Sequence, residues 1–258
     1  MTQSPEQLAA ELYDISVPDW DGELDFYHEL AREAKSRKQS ILEVACGTGR
    51  VSIHLAEEGV EIVGTDLDAA MLEVARSKSA RVGWIQGDIR TLDLGEAFGL
   101  IMVPGHSFQF MLTPEDQVKA LETFERHLEP GGILVIHLDH QSVDWLGDLL
   151  DALGGKSEHG KYVIHPHTEH TIHKSNAWTH EPSTQTAKVI TRCDEIGEDN
   201  SVVQTWERSP MALHCVFRFE MEHLLARTAF EIQAVYGDFT KNELNDASSE
   251  MIWVARKP

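Results

Sequence analysis

Two glycines and a series of carboxylates carry the chemistry of this chain. Gly47 and Gly49 follow the run Ile41-Leu42-Glu43-Val44-Ala45-Cys46, and Asp66 ends a second apolar run, Val60-Glu61-Ile62-Val63-Gly64-Thr65. Glycine lets the backbone approach a ligand without Cβ interference, and a helix starting there presents its N-terminal amides. Asp66 stands about 20 residues on, the spacing at which an acid reaches ribose hydroxyls in doubly wound folds. The pattern is a βαβ unit built to hold a nucleoside. A nicotinamide dinucleotide is one possible occupant, but its fingerprint has a third glycine where Ser52 stands here. Gln86-Gly87-Asp88-Ile89 adds another acid. Glu43, Asp66 and Asp88 thus end three successive strands at the sheet edge where open α/β folds bind ligands.

Further along are groups that could act on a second substrate. Pro104-Gly105-His106 follows the fourth strand, and His137, Asp139 and His140 follow the fifth. His106 reads equally as a base or acceptor-orienting group and as a turn cap. Asp139 and His140 suit a cationic or hydroxylated acceptor, in competition with ordinary solvated loop roles. Arg218, Tyr236 and Asp238 are candidates to complete an acceptor pocket, against salt-bridge and turn roles. Tyr13, Trp20 and Tyr27 read either as a lid or as a hydrophobic staple of the N-terminal helices. The stretch from His165 to His173 puts His165, His167, Glu169 and His173 on one face if it is a strand, but no tight metal signature results and no metal is expected. Cys46 reads as a small apolar filler.

The elements that must position these residues follow from periodicity. Helices are expected at 5–13 and 22–37, then strands near 40–45, 60–65, 82–86, 99–104 and 132–138, with helices near 49–58, 68–77 and 114–128 between them. Pro130-Gly131-Gly132 reads as a helix stop. After a helix near 142–153, residues 161–218 alternate in the manner of an antiparallel meander, with Met211 to Arg218 as one run. A helix from Glu220 to Ala229 and strands near 231–236 and 250–255 complete the chain. The fold class is α/β: a Rossmann-like, doubly wound seven-stranded sheet with an antiparallel β insertion and an N-terminal helical lid. The organisation is residues 1–38 as lid, 39–140 with 219–258 as core, and 141–218 as helix plus insertion, serving as acceptor cap or dimer surface.

Composition excludes several classes. A net charge of -21 argues against nucleic acid or an anionic membrane as partner. No apolar run reaches spanning length, and the first residues lack the pattern of a signal peptide. Three widely spaced cysteines fit a reducing cytoplasm better than a disulfide scaffold.

The motifs Glu43-Val44-Ala45-Cys46-Gly47-Thr48-Gly49, Gly64-Thr65-Asp66-Leu67-Asp68-Ala69-Ala70-Met71-Leu72, Gln86-Gly87-Asp88-Ile89 and His127-Leu128-Glu129-Pro130-Gly131-Gly132 together resemble class I S-adenosylmethionine-dependent methyltransferases. More loosely, the chain resembles their small-molecule branch, which includes sugar N,N-dimethyltransferases. The resemblance implies S-adenosyl-L-methionine as cofactor and methyl transfer to N or O of a small-molecule acceptor. It places Ala45, Gly47, Gly49 and Val103 against the cofactor, with Glu43 orienting the turn and the cationic end of the methionine moiety. Asp66 would take the ribose hydroxyls, Leu67 and Met71 would flank the adenine, and Asp88 and the Ile89 amide would bond its edge. Tyr13, in a Tyr-Asp pair, would cover the site. Two positions depart from the family pattern: Ala45 stands where glycine is common, and Thr228-Ala229-Phe230 replaces Ala-Gly-Phe. A nicotinamide-dependent oxidoreductase and a non-catalytic cofactor-binding module are the alternatives. The expected assembly is a cytoplasmic monomer or homodimer.

Overall fold

The computed structural model describes residues 4–17, 20–151, 156–157 and 160–258. In chain order it begins α1 (Pro5–Glu11), α2 (Tyr13–Ser16), α3 (Glu23–Ser36), β1 (Ile41–Val44), α4 (Arg50–Glu57), β2 (Ile62–Asp66), α5 (Ala69–Lys78), β3 (Gly83–Gln86) and β4 (Phe98–Val103). It continues with α6 (Pro114–His127), β5 (Leu128–Asp139), α7 (Val143–Asp151), β6 (Lys156–Ser157), β7 (Lys161–Ile164), β8 (Thr171–Glu181) and β9 (Thr186–Ile196). Next come β10 (Val202–Glu207), β11 (Met211–His214), α8 (Arg218–Arg227), β12 (Glu231–Tyr236) and β13 (Glu250–Arg256). The chain divides into two compact units: Asp19–Gln141 with Val216–Pro258, and Met1–Pro18 with Ser142–Cys215.

The first unit is built on a seven-stranded sheet in the order β12-β13-β5-β4-β1-β2-β3. β1 to β5 pair in parallel, whereas β13 runs antiparallel to both β5 and β12. This is the expected α/β sheet. Alternation along β4 shows how its two faces are covered. Ile101 and Val103 join Leu121 and Phe124 of α6 and Met221 and Leu225 of α8. Leu100 and Met102 join Tyr27 and Ala31 of α3 and Val51 and Leu55 of α4. Helix α3 is therefore part of this core, and Tyr27 is fully buried in it.

The other unit is the meander. β8 and β9 pair antiparallel along their length, β10 and β11 add to β9, and β6 and β7 add to β8. The polar cluster after Glu181 forms a 3-10 turn at Pro182–Thr184, and Gly197 closes the next turn by donating its amide to Ser201 O at 2.9 Å. In this unit Leu8 and Leu12 of the N-terminal helices bury against Ile172 and Cys193.

Four details differ from expectation, each for a local reason. The helix before Pro130 stops at His127, and Pro130-Gly131-Gly132 lies inside β5, where Gly131 takes a φ of 77° and the pairing with β4 shifts register. The run from Met211 ends as a strand at His214, so Arg218 opens α8 instead of closing a strand. Residues 165–170 are a turn rather than a strand: Pro166 cannot donate to a ladder, and His165 N bonds His170 O at 2.9 Å. The four candidate ligands there consequently share no strand face. The helix expected at 142–153 runs Val143–Asp151, and residues 152–153 lie outside the described ones.

At Gly64 the demand for glycine comes from packing. The Trp84 ring on β3 crosses its register partner Gly64, and a Cβ at Gly64 would lie 2.6 Å from Trp84 Cζ3 and 3.1 Å from Cys46 Sγ. Overpacking of this kind costs about 1–3 kcal/mol. Gly64→Ala is expected to destabilise the protein by about 2 kcal/mol in urea unfolding. Adding Trp84→Ala should make the two changes clearly non-additive; strict additivity would show that the indole is not what excludes the methyl.

Candidate active site

The chain after β1 turns through three left-handed residues, Ala45 (φ 54°), Gly47 (φ 55°) and Gly49 (φ 80°), before α4 begins at Arg50. The turn is tied from both sides. Cys46 N donates to Thr65 O at 2.9 Å, and Gly47 N donates to Asp66 Oδ2 at 2.7 Å. The other Asp66 oxygen accepts from Asp68 N at 2.8 Å, and Asp68 in turn caps α5 through Ala70 N. Ala45 carries a Cβ in a backbone region that favours glycine, which gives a physical meaning to its departure from the common motif.

Beneath the turn, Glu43 is buried and accepts a hydrogen bond from Ser52 Oγ. Ser52 is the residue in the third glycine position of a dinucleotide loop, and its hydroxyl is committed to this carboxyl. Burial pushes the Glu43 carboxyl up to about 7, against the pull of Ser52 and Arg50. Burial also raises Asp66, against the bonds from the Asp68 and Gly47 amides. Arg50 is itself paired with the buried Glu23 at 2.6 Å. Glu43 and Asp66 are thus two buried acids beside a glycine turn, both raised by desolvation.

The remaining nucleoside candidates fall into distinct settings. Met71 is buried and Leu67 is 64% exposed. Asp88 is engaged by Arg90, with Arg90 Nη2 to Asp88 Oδ2 at 2.6 Å, and Arg90 also reaches Asp116 at 3.1 Å. The Arg90 hydrogen bond holds the Asp88 carboxyl below its usual range. Ile89 packs against the main core, and the Val103 side chain points into that core, so only its backbone remains at the strand end. Tyr13 belongs to the meander unit, where it lines a cavity with Leu12, Lys174 and Trp206. Burial raises the Cys46 thiol far above its ordinary range, which fits a small apolar filler.

After β4 the backbone turns left-handed at both Gly105 (φ 61°) and His106 (φ 62°). This turn brings His106 to His137 and to Glu250, the first residue of β13. His106 Nε2 and His137 Nε2 each lie 2.7 Å from Glu250 Oε2 and 3.1 Å from one another. Trp20 Nε1 donates to Glu250 Oε1 at 3.0 Å, and its ring stands edge-on to both imidazoles at 5.2 and 5.0 Å. Burial alone would raise Glu250, but the bonds from His106 and His137 outweigh it and hold the carboxyl at about 2. Burial pushes His137 down to about 4.

Among the described residues this trio is the one group with metal-ligand types close enough to converge. The tautomers argue against that use. Gly105 N donates to His137 Nδ1 at 3.2 Å, so Nδ1 is the acceptor and the ring proton sits on Nε2. A metal-bound His requires the reverse, with Nε2 bare and Nδ1–H donating. The trio is a hydrogen-bond centre.

The other acceptor candidates have local partners. Asp139 is bonded by Gln141 at 2.9 Å and its carboxyl is raised by burial, while His140 Nδ1 lies 2.8 Å from Ser248 O. Arg218 pairs along its own helix with Glu222 at 3.2 Å. Tyr236 packs on Phe26, and both Asp238 oxygens are taken up by Thr240 and Asn242 in a turn. Sequence reasoning missed Glu250 and Arg90. The signal for Glu250 was topological: a last strand antiparallel to β5 starts at the edge where the parallel strands end.

Residues 41–132 match the family model of a methyltransferase domain. The dTDP-4-amino-2,3,4,6-tetradeoxy-D-glucose N,N-dimethyltransferase of Saccharopolyspora spinosa is 34% identical over 149 residues, 57% of this chain and 58% of that protein. The dTDP-3-amino-3,4,6-trideoxy-alpha-D-glucopyranose N,N-dimethyltransferase of Streptomyces venezuelae is 32% identical over 131 residues, 49% and 55% of the two chains. The chain thus spans just over half the length of these curated relatives. Among solved structures, the CcbJ methyltransferase from Streptomyces caelestis superposes with a TM-score of 0.75 at 21% identity, covering 99% of this chain and 98% of that one. DesVI from Streptomyces venezuelae gives 0.74 at 20% identity, covering 99% of each. The likeness to these two structures is one of fold.

The buried Glu43 carboxyl yields a stability prediction. Its folded value of about 7 lies above an unfolded value near 4.5, so the folded chain holds an extra proton between them. Stability from this group is full below the unfolded value and is lost as pH rises through 7. Glu43→Gln should therefore be neutral at pH 5 and stabilising by about 2–3 kcal/mol at pH 8 in urea titrations without ligand; equal effects at both pH values would contradict it.

Proposed function

We propose that this chain is an S-adenosylmethionine-dependent methyltransferase acting on a small-molecule acceptor. The observation that carries the reading is the pair of buried, raised carboxyls, Glu43 and Asp66, flanking the glycine turn within the methyltransferase-domain match. The cofactor brings a sulfonium and an ammonium, which supply the positive charge this cradle lacks. A dinucleotide loop, by contrast, carries a third glycine or an alanine at the position where Ser52 bonds Glu43.

Bound there, the cofactor supplies an electrophilic methyl group for in-line displacement. The protein supplies alignment and exclusion of water. Gly47 and Gly49, with Ala45 before them, bring backbone against the methionine moiety, and Glu43 sets the turn and its charge. Asp66 would keep the Gly47 amide and offer its remaining lone pairs to the ribose hydroxyls. Met71 and Leu67 would flank the adenine, Asp88 and the Ile89 amide would bond its edge, and the Val103 backbone would border the site. His106 is the catalytic candidate, with Asp139, His140, Arg218, Tyr236 and Asp238 in the acceptor set. Residues 1–38 as lid and 141–218 as acceptor cap or dimer surface belong to the same proposal.

The relatives named above are N,N-dimethyltransferases of dTDP-linked amino sugars, which supports an amino sugar or similar small amine as acceptor. Among the described residues no helix is long and apolar enough to cross a membrane. Three buried, free cysteines support a cytoplasmic site of action.

Calorimetry with S-adenosylmethionine and S-adenosylhomocysteine tests the reading, and binding of neither would end it. Asp66→Ala should weaken cofactor binding by about 1–3 kcal/mol. Unchanged affinity in that variant would remove Asp66 from the site.

A further inference from the structure

We propose that Glu250 makes His106 the proton acceptor for a substrate amine that arrives as an ammonium ion, with His137 and Trp20 holding Glu250 in place. This rests on the methyltransferase reading and adds to it the protonation state of the substrate and the group that removes the proton.

The hydrogen-bond inventory leaves few alternatives. Glu250 accepts from Trp20 on one oxygen and meets both histidine Nε2 atoms on the other. The Gly105 amide fixes the His137 proton on Nε2, so His137 donates to Glu250. His106 Nε2, 2.7 Å from the same carboxylate oxygen, must also carry its proton. The 3.1 Å approach of the two Nε2 atoms then reflects two donors converging on one oxygen. With Nε2–H committed, the lone pair of His106 lies on Nδ1. That atom has no hydrogen-bond partner among the described residues, and the side chain is 24% exposed. His137 offers no such lone pair, since both its nitrogens are engaged and its side chain is fully buried.

A base in this setting suits an amine. When Nδ1 gains a proton, the imidazolium remains bonded through Nε2–H to a carboxylate, as in a carboxylate–histidine pair. The charged and titratable groups facing the cluster are Glu250 on β13, His137 and Asp139 on β5, and Arg50 of α4, which is paired with Glu23. An incoming cation is therefore attracted and an oxyanion repelled. An ammonium is several units more acidic than an alcohol, so it gives its proton to an imidazole far more readily near neutral pH.

The proton balance is simple. The ammonium nitrogen passes one proton to His106 Nδ1 and regains its lone pair. The new carbon–nitrogen bond forms as the carbon–sulfur bond breaks, leaving a neutral thioether and a methylated ammonium. His106 then returns its proton to solvent through its exposed edge. The left-handed turn at Gly105 and His106 is strain kept by this network, since the Gly105 amide is held by His137.

The first measurement needs neither cofactor nor acceptor. Nitrogen-detected imidazole NMR of the full chain should show the neutral His106 and His137 rings protonated on Nε2, with His106 redistributing toward Nδ1–H in Glu250→Gln. A wild-type His106 protonated on Nδ1, or a His137 that binds added zinc through Nε2, overturns the proposal. The second measurement follows methyl transfer to dTDP-3-amino-3,4,6-trideoxy-alpha-D-glucopyranose, the amino sugar in the name of the Streptomyces venezuelae relative. Glu250→Gln should lower kcat about 100-fold at pH 7 with KM little changed. The deficit should shrink toward pH 9, where more of the amine arrives neutral; a loss independent of pH marks a merely structural role and counts against the proposal. Trp20→Phe, which removes a single hydrogen bond to Glu250, should give a smaller loss of the same form. Cofactor calorimetry on the same samples separates the two claims. Wild-type protein that binds no S-adenosylmethionine fails the methyltransferase reading, while normal binding with full turnover in Glu250→Gln fails only this one.

Discussion

The hydrogen bond from Gly47 N to Asp66 Oδ2 is the constraint on which the nucleoside half of the site depends. It joins the ends of adjacent parallel strands and fixes the left-handed turn between β1 and α4. With the turn fixed, Glu43 is sealed under it and Ser52 comes round on the first turn of α4 to meet its carboxyl. The same Asp66 side chain orders the start of α5 through the Asp68 amide. This carboxylate organises two helix entries and is raised by burial.

The second half depends on strand direction. Five parallel strands deliver their C-terminal residues to one edge, and β13 delivers its first residue there because it runs the other way. In its register Glu250 stands opposite Asp139 and Ile252 opposite His137. A side chain from the far end of the sequence thus sits between histidines that follow β4 and lie on β5. Trp20, just ahead of α3, closes the group by giving Glu250 a third donor. The bonds from His106 and His137 hold the carboxyl low despite burial.

The sequence announced the first half far more clearly than the second. Glycine spacing and strand-terminal acids are local patterns, so Glu43, Gly47, Gly49 and Asp66 could be named within one βαβ unit. The two alanines that departed from the motif, Ala45 and Ala229, both take left-handed φ values, 54° and 61°, so the glycine preference at those positions has a backbone cause. His106 was legible as a candidate because it follows a strand end. Its tautomer was not, because that depends on Gly105, His137 and Glu250 meeting across three elements. Likewise Trp20 was grouped with Tyr13 and Tyr27 as an aromatic of the N-terminal segment. Only packing sorts them: Tyr27 is in the core, Tyr13 lies in the meander unit, and Trp20 stands at Glu250. The His165–His173 stretch misled in the opposite sense, since a strand period was read through a turn that Pro166 imposes.

Charge gives the two halves a common logic. The chain carries a net charge of -21, yet the acids that matter are the few withdrawn from water at one sheet edge. Glu43 and Asp66 are raised by burial, Glu250 is kept ionised by its donors, and Arg50, a cation near this group, already belongs to Glu23. Such an edge attracts cations on both sides, which suits a sulfonium donor beside an ammonium acceptor. It also creates a difficulty, because two cations approaching for bond formation repel one another, and an ammonium has no lone pair with which to attack. In the proposed reaction the difficulty is removed by taking one proton away from the acceptor nitrogen. His106 is the one imidazole of the cluster with a nitrogen free for that proton, and Glu250 is placed to stabilise the charge that follows.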